Sequence, residues 1–158
     1  MKDIKKPYGC FNIDRFRGFL ALKATYVLII YLSKDSELTV GALGEVKFKK
    51  GYYAYVGSAL GGLKKRLKRH LSSNKQIRWH IDYFLSVTAI IGFVAWLSPK
   101  RLEYPIAKNL SKRLKPIQGF GSSDSRCKSH LFFSMDKNKL LQAVIKSSKA
   151  KNMILFEF

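Results

Sequence analysis

The sequence predicts a single domain of the mixed α/β or α+β class, and three observations carry that expectation. Its 158 residues fit one domain and suffice for a hydrophobic core without disulfides or structural metal. Apolar and aromatic residues gather in short strand-like runs through the first third of the chain. From residue 63 the hydrophobic period lengthens to that of helices, with further strands between them.

Residues 1–22 read as a basic lead-in broken by Pro7, Gly9 and Gly18. Residues 25–32 (TYVLIIYL) are apolar on both faces and rich in β-branched and aromatic side chains, the pattern of a buried central strand. A polar turn leads to short strands at 38–40 and 45–49, set apart by Gly41 and Gly44. A fourth strand is expected over 52–56, ending on Gly57. Leu63, Leu67 and Leu71 then recur every four residues, which predicts an amphipathic helix with Lys64, Lys65, Lys68 and Arg69 on its outer side. Ile77, Ile81 and Phe84 mark a second helix, 89–96 a strand, and 101–114 a third helix. Pro105 is tolerable there only in the first turn, where its missing N–H would have had no helical partner. A loop from Gly119, a strand at 130–134, a helix at 136–147 and a closing strand at 153–158 complete the chain.

Charge sets the class of partner. There are 30 Lys and Arg against 10 Asp and Glu, a formal charge of +20, and such an excess repels itself unless a polyanion screens it. Lys47, Lys49, Lys50, the cluster Lys64, Lys65, Lys68 and Arg69, and Lys108, Lys112, Arg113 and Lys115 form the footprint, with Lys112 and Arg113 counted as nucleic-acid contacts beside the helix cluster. Nucleic acid is favoured over anionic lipid because no amphipathic membrane anchor accompanies the charge. The longest apolar run, 87–97, is interrupted by Thr88 and Gly92 and is too short for a membrane span. Cys10 and Cys127 are too few and too distant for a disulfide framework or a cysteine zinc site. The N-terminus has no apolar leader core. A reduced, cytoplasmic setting is therefore expected, with the nucleoid as a natural station.

Three groups of residues stand out chemically. On the helix wheel Arg66 and His70 lie one turn apart on a flank of the leucine stripe. There Arg66 is either a side chain covering apolar surface or a fixed fork for phosphate. Glu103 falls in line with the apolar stripe Ile106, Ala107, Leu110 and Leu114. A carboxylate so placed either bends out to water at the positive helix end or meets a cation or metal. Tyr26 on the central strand and Tyr55 in YYAYVGS are packing residues or site residues, and Gly57 leaves room for close approach of backbone or phosphate. His80, Asp124 and His130 are second-rank candidates for the same cleft, against local turn bonding and ordinary helix packing.

The ordered set Ala24-Thr25-Tyr26, Tyr55-Val56-Gly57, Leu-x-x-Arg-Leu-x-x-His over 63–70 and Glu103 resembles the GIY-YIG nuclease family. The phrases GALG (41–44), GYYAYVGSA (51–59), RWHIDY (78–83), GFGSSD (119–124) and SHL (129–131) bring it closer to a small, mostly archaeal branch sometimes joined to endonuclease III-type repair enzymes. The likeness spans about residues 22–135, flanked by extra elements at both ends. It implies a small, mainly antiparallel sheet of three strands flanked by helices, and metal-dependent cleavage of DNA, structure- or damage-directed, with a repair enzyme as a partner. Carried over, Glu103 holds one weakly bound Mg²⁺ or Mn²⁺, Arg66 clamps the scissile phosphate, and Tyr26 and Tyr55 handle water. His70 orients Arg66 or acts as a base. A binding module for DNA or RNA on the same scaffold is the alternative. Ala24 and Thr25 depart from the Gly and Ile of the family name, and Ala59-Leu60-Gly61-Gly62 carries one residue more than many members.

Overall fold

A computed structural model describes residue 18, residues 21–123 and residues 125–158. The lead-in over 1–22, apart from Gly18, Ala21 and Leu22, lies outside the described residues, as do Cys10 and Asp124.

A mixed α+β fold is present. Strands β1 (Ala24–Leu32), β4 (Gly51–Ala59), β5 (Ala89–Leu97), β6 (Lys115–Pro116), β7 (Leu131–Ser134) and β8 (Met153–Glu157) form one sheet in the order β6-β7-β4-β1-β5-β8. Every pairing in it is antiparallel. The sheet is thus larger than the three strands the resemblance implies, although β4, β1 and β5 remain its centre. β2 (Ser36–Thr39) and β3 (Glu45–Phe48) pair separately as a hairpin, joined through a 3-10 turn at Gly41–Leu43. From residue 21 onward the helices of the described residues are α1 (Leu63–Leu71), α2 (His80–Leu85), α3 (Glu103–Ser111) and α4 (Lys137–Ile145).

β1 is central because its side chains can be buried on both faces, and seven of its first residues are buried in unbroken succession. Alternation then sorts the core in two. Tyr26, Leu28 and Ile30 pack with Leu63 and Leu67 of α1, Ile81 and Phe84 of α2, and Phe48 of the hairpin. Val27 and Ile29 pack on the other side with Ile106 and Leu110 of α3 and Leu140 and Val144 of α4. Phe84 packs in a tilted contact on Phe48, ring centroids 4.5 Å apart, and edge-to-face with Tyr53 at 4.8 Å, and that aromatic knot fixes α2 and the hairpin to the sheet.

Several expected boundaries move, for physical reasons. β4 does not stop at Gly57 but continues to Ala59, because β1 pairs with it as far as Ala24↔Ala59. α2 begins only at His80, and Ile77 is 54% exposed outside it. The Asp82 carboxylate, taking the backbone N–H groups of Arg78 and Trp79, caps the helix there. α3 is shorter than expected and puts Pro105 in its first turn. The two-residue β6 was not expected; a segment so short has no period of its own.

Candidate functional site

β1 begins, and β4 and β5 end, at one end of the sheet, and α1 departs from β4 there after a turn through Gly62 at φ 101°. Tyr26 lies opposite Gly57 in this corner. A Cβ on residue 57 would fall 2.5 Å from the Tyr26 hydroxyl and 2.6 Å from Cζ, so the glycine is the space the phenol ring occupies. The close approach read from the sequence at Gly57 is therefore made by Tyr26.

The ring is held from above by α1. Tyr26 Oη and His70 Nε2 are 2.6 Å apart, and both residues are buried. His70 Nδ1 is also buried and has no hydrogen-bond partner. With the proton on Nδ1, the Tyr26 hydroxyl donates to Nε2. Burial, reinforced by Lys75, pushes the His70 pKa down to about 3, so the imidazole is neutral at ordinary pH. The structure sets His70 against Tyr26, where the sequence reading offered Arg66 as the residue it orients. Tyr55 points into the same corner, its ring 6.1 Å from that of His70.

Burial drives the Tyr26 phenol well above its ordinary pKa. The neighbouring Tyr55 and Glu103 add to the rise, and Arg66 and Arg69 oppose it. Tyr55 is raised by burial and then by Glu103, again against Arg66. Glu103 and Arg66 are thus close enough for their charges to bear on both phenols. Glu103 is half-buried at the first position of α3, and it makes no hydrogen bond or ion pair among the described residues. Its helix start is fixed to the sheet, since the N–H of Leu102 donates to Thr25 Oγ1 at 3.0 Å, one residue before Tyr26. α3 packs against the far face, and the charge of its first residue is felt in the corner by Tyr26, Tyr55 and His130.

Of the second-rank residues, His130 joins the site. It is buried, and its pKa is lowered by burial with Glu103 acting against that shift. Its Nε2 lies 3.0 Å from Ser125 Oγ. His80 stands on the rim, where Nδ1 accepts the N–H of Gly121 at 2.9 Å. That bond leaves its Nε2 side as the protonated one when neutral.

Arg69 is not the solvated cation expected from the wheel. Both its terminal nitrogens lie 2.8 Å from the two oxygens of Asp82, whose side chain is fully buried. Burial works against the Asp82 charge, but the Arg69 fork and two backbone donors outweigh it and hold its pKa at about 2. Lys65 and Lys68 are exposed, as expected. Lys112 and Arg113 follow the far end of α3, about 13 Å of helix from Glu103 by the usual rise. The structure does not bring them to the α1 patch.

Sequence reasoning passed over Trp79. The guanidinium carbons of Arg69 and Arg66 lie over its ring, 4.0 Å and 4.7 Å from the centroid, and the residue is still 39% exposed. The adjacent Arg-Trp pair in a basic chain was the available signal.

Among the described residues no three His, Cys, Asp or Glu side chains gather as a metal-holding group, and no helix is long and apolar enough to cross a membrane.

Fold and site together define a basic α+β protein with a phenol, imidazole, guanidinium and carboxylate cluster at one end of an antiparallel sheet. The chain belongs to the family described as a domain of unknown function, DUF123, whose model matches residues 25–153. Comparisons with curated proteins and with solved structures return no match.

Proposed function

We propose that the protein is a divalent-metal-dependent endonuclease that hydrolyses phosphodiester bonds in DNA, acting on particular structures or lesions in repair or recombination. The observation that carries this reading is the placement of Glu103, a half-buried carboxylate without a cation partner among the described residues, whose charge, like that of Arg66, bears on two phenols. A chain that only bound polyanions would gain nothing from a bare carboxylate in that corner. The likeness to GIY-YIG nucleases points the same way, through Tyr26, Tyr55, Arg66 and Glu103.

Glu103 fits a hard cation in part. It offers oxygen, is half-buried, and has no competing salt bridge among the described residues, but it is a single ligand, so Mg²⁺ or Mn²⁺ would be held by Glu103, waters and the substrate's own phosphate oxygens. When bound, the ion supplies Lewis acidity and cancels the Glu103 charge that helps hold both phenols protonated. The protein's own groups do the rest. Arg66 grips a non-bridging oxygen and faces the charge that grows there as water bonds to phosphorus. Tyr55, the more open phenol, orients that water. Tyr26, fixed by His70 and Gly57, backs it from within the sheet. As the water bonds to phosphorus its proton passes to His130, which burial keeps neutral and able to accept it, and the bond to the leaving oxygen breaks as that oxygen takes a proton from solvent.

The test is cleavage of supercoiled, branched and damaged DNA with Mg²⁺ or Mn²⁺ by wild type and Glu103→Gln. The variant should fold, bind DNA at least as well, and lose cutting. Equal cutting by both would overturn the assignment. The excess of 20 positive charges also supports a non-catalytic module for DNA or RNA. That reading replaces the first if neither protein cuts and both bind with steep salt dependence.

A further inference from the structure

We infer that Trp79 is a stacking platform for an unpaired nucleobase, selecting single-stranded or junction nucleic acid at the site where Arg66 holds the adjoining phosphate. The inference rests on the nucleic-acid reading above and narrows its substrate.

Trp79 is anchored through its backbone and by guanidiniums lying over its ring. Its backbone N–H donates to Asp82 Oδ2 at 3.0 Å, beside that of Arg78 at 2.9 Å. Asp82 in turn clamps Arg69 at two distances of 2.8 Å, and Arg69 lies 4.0 Å from the indole centroid. The ring is thus set on a guanidinium that is itself locked to a buried carboxylate. Yet 39% of Trp79 stays open, next to Ile77 at 54%. The other tryptophan, Trp96, is wholly buried, so the fold can bury an indole where packing is the purpose.

The neighbours state what the open ring suits. Arg66, 4.7 Å from its centroid, also bears electrostatically on Tyr26 and Tyr55 and is free of carboxylate partners among the described residues. One group therefore spans the apolar platform and the reactive corner. A rigid aromatic surface beside an uncancelled cation matches a nucleotide, which presents a π face and a phosphate a short span apart. Paired bases keep their faces stacked inside the duplex. Only an unpaired or extruded base offers a face to Trp79, so the geometry selects single strands, flaps and junctions. A polar, positively charged surround argues against a hydrophobic protein partner there.

Tryptophan emission reads the platform directly, because Trp96 is buried and Trp79 is not. Wild type, Trp79→Ala and Trp79→Phe would be titrated with labelled single-stranded oligonucleotides and with duplexes of the same sequence, at fixed salt and without metal. Trp79→Ala should lose roughly tenfold in single-strand affinity, the scale of one base–aromatic stack, while duplex affinity changes less than about twofold. Trp79→Phe should recover most of the loss. Single strands should also quench wild-type emission and shield it from acrylamide, and duplex should do neither. Equal losses on both nucleic acids, or full acrylamide access in the saturated single-strand complex, would overturn the platform and leave the nuclease reading standing. Normal stacking without any metal-dependent cutting would keep the platform and overturn catalysis. No binding to either nucleic acid would overturn both.

Discussion

Beneath α3 and α4 the sheet presents mostly aliphatic side chains, with Trp96 and Phe132 among them: Val27, Ile29, Val56 and Val94 meet Ile106, Leu110, Leu140 and Val144. Beneath α1, α2 and the hairpin the same strands present aromatic rings, and the helices answer with buried His70 and Asp82. One face spends its burial mainly on stability, although Thr25 on that side seats the start of α3 and the Trp96 indole nitrogen lies buried there without a partner. The other accepts polar groups in its interior, including an imidazole nitrogen without a partner, to hold Tyr26 and Trp79 in fixed positions. Damage to the first should therefore cost folding and spare chemistry, and damage to the second should do more of the reverse.

Acid should separate the faces most strongly. The folded-state pKa of His70 is about 3 against an ordinary 6.5. Above pH 6.5 both folded and unfolded forms are neutral. As pH falls, the unfolded chain takes the proton first, so stability drops from about pH 6.5 to about 3, by up to about 5 kcal/mol at the limit. His130, lowered in the same direction, adds to the slope. Asp82 acts in a lower window: its carboxyl is held at about 2 against 3.8, so its contribution is whole above pH 3.8 and lost as pH falls towards 2. Denaturant melts at stepped pH check this, and His70→Asn should flatten the upper part of the slope. An unchanged slope would mean that His70 titrates alike in the folded and unfolded protein.

Next in size, Leu110→Ala opens a cavity under α3 and should cost about 3 kcal/mol of unfolding free energy. The cleavage rate at saturating enzyme should hold once the variant is folded. Thermal melts paired with single-turnover rates decide it, and a rate loss as large as that of a site variant would erase the division between faces.

The smallest expected change in stability sharpens the contrast within α1 itself. Arg69→Ala strips the buried Asp82 of its cation and should cost about 1–3 kcal/mol. Arg66→Ala should cost under about 0.5 kcal/mol yet slow cleavage by roughly a hundredfold, the scale of one lost donor to developing charge. Lys65→Ala should touch neither and only flatten the salt dependence of binding. Equal rate losses in all three variants would reduce α1 to an electrostatic surface.

What could be read without coordinates follows from how local each signal is. β1 announced itself by being apolar on both faces, α1 by its leucine spacing, and α3 by the stripe Ile106, Ala107, Leu110 and Leu114. Glu103 stood out because the same wheel put a carboxylate near the core. Distance in sequence hid the rest. The Tyr26–His70 bond joins residues 44 apart, and the Arg69–Asp82 pair joins residues 13 apart across two helices. No wheel drawn for one helix can contain either. The wheel placed Arg69 outward because it could not see the carboxylate waiting on α2. The four-residue β7 and the two-residue β6 owe their place to partners in the sheet, Tyr52–Tyr55 for the first and Phe132–Phe133 for the second.

The adjacency of Thr25 and Tyr26 has a consequence for how this chain tolerates change in length. Thr25 carries the bond that seats Glu103, on one face, and Tyr26 carries the phenol that fits Gly57, on the other. Successive residues of a strand alternate sides, so a slip of β1 by a single position would swap the two. The hydroxyl that seats Leu102 would turn towards α1, and a phenol would be pushed under α3. Both halves of the site would be lost at one stroke, although every residue was still present. Deletions and insertions of one residue in β1 should therefore be far more damaging than substitutions there, and length variation should be confined to the turns on either side.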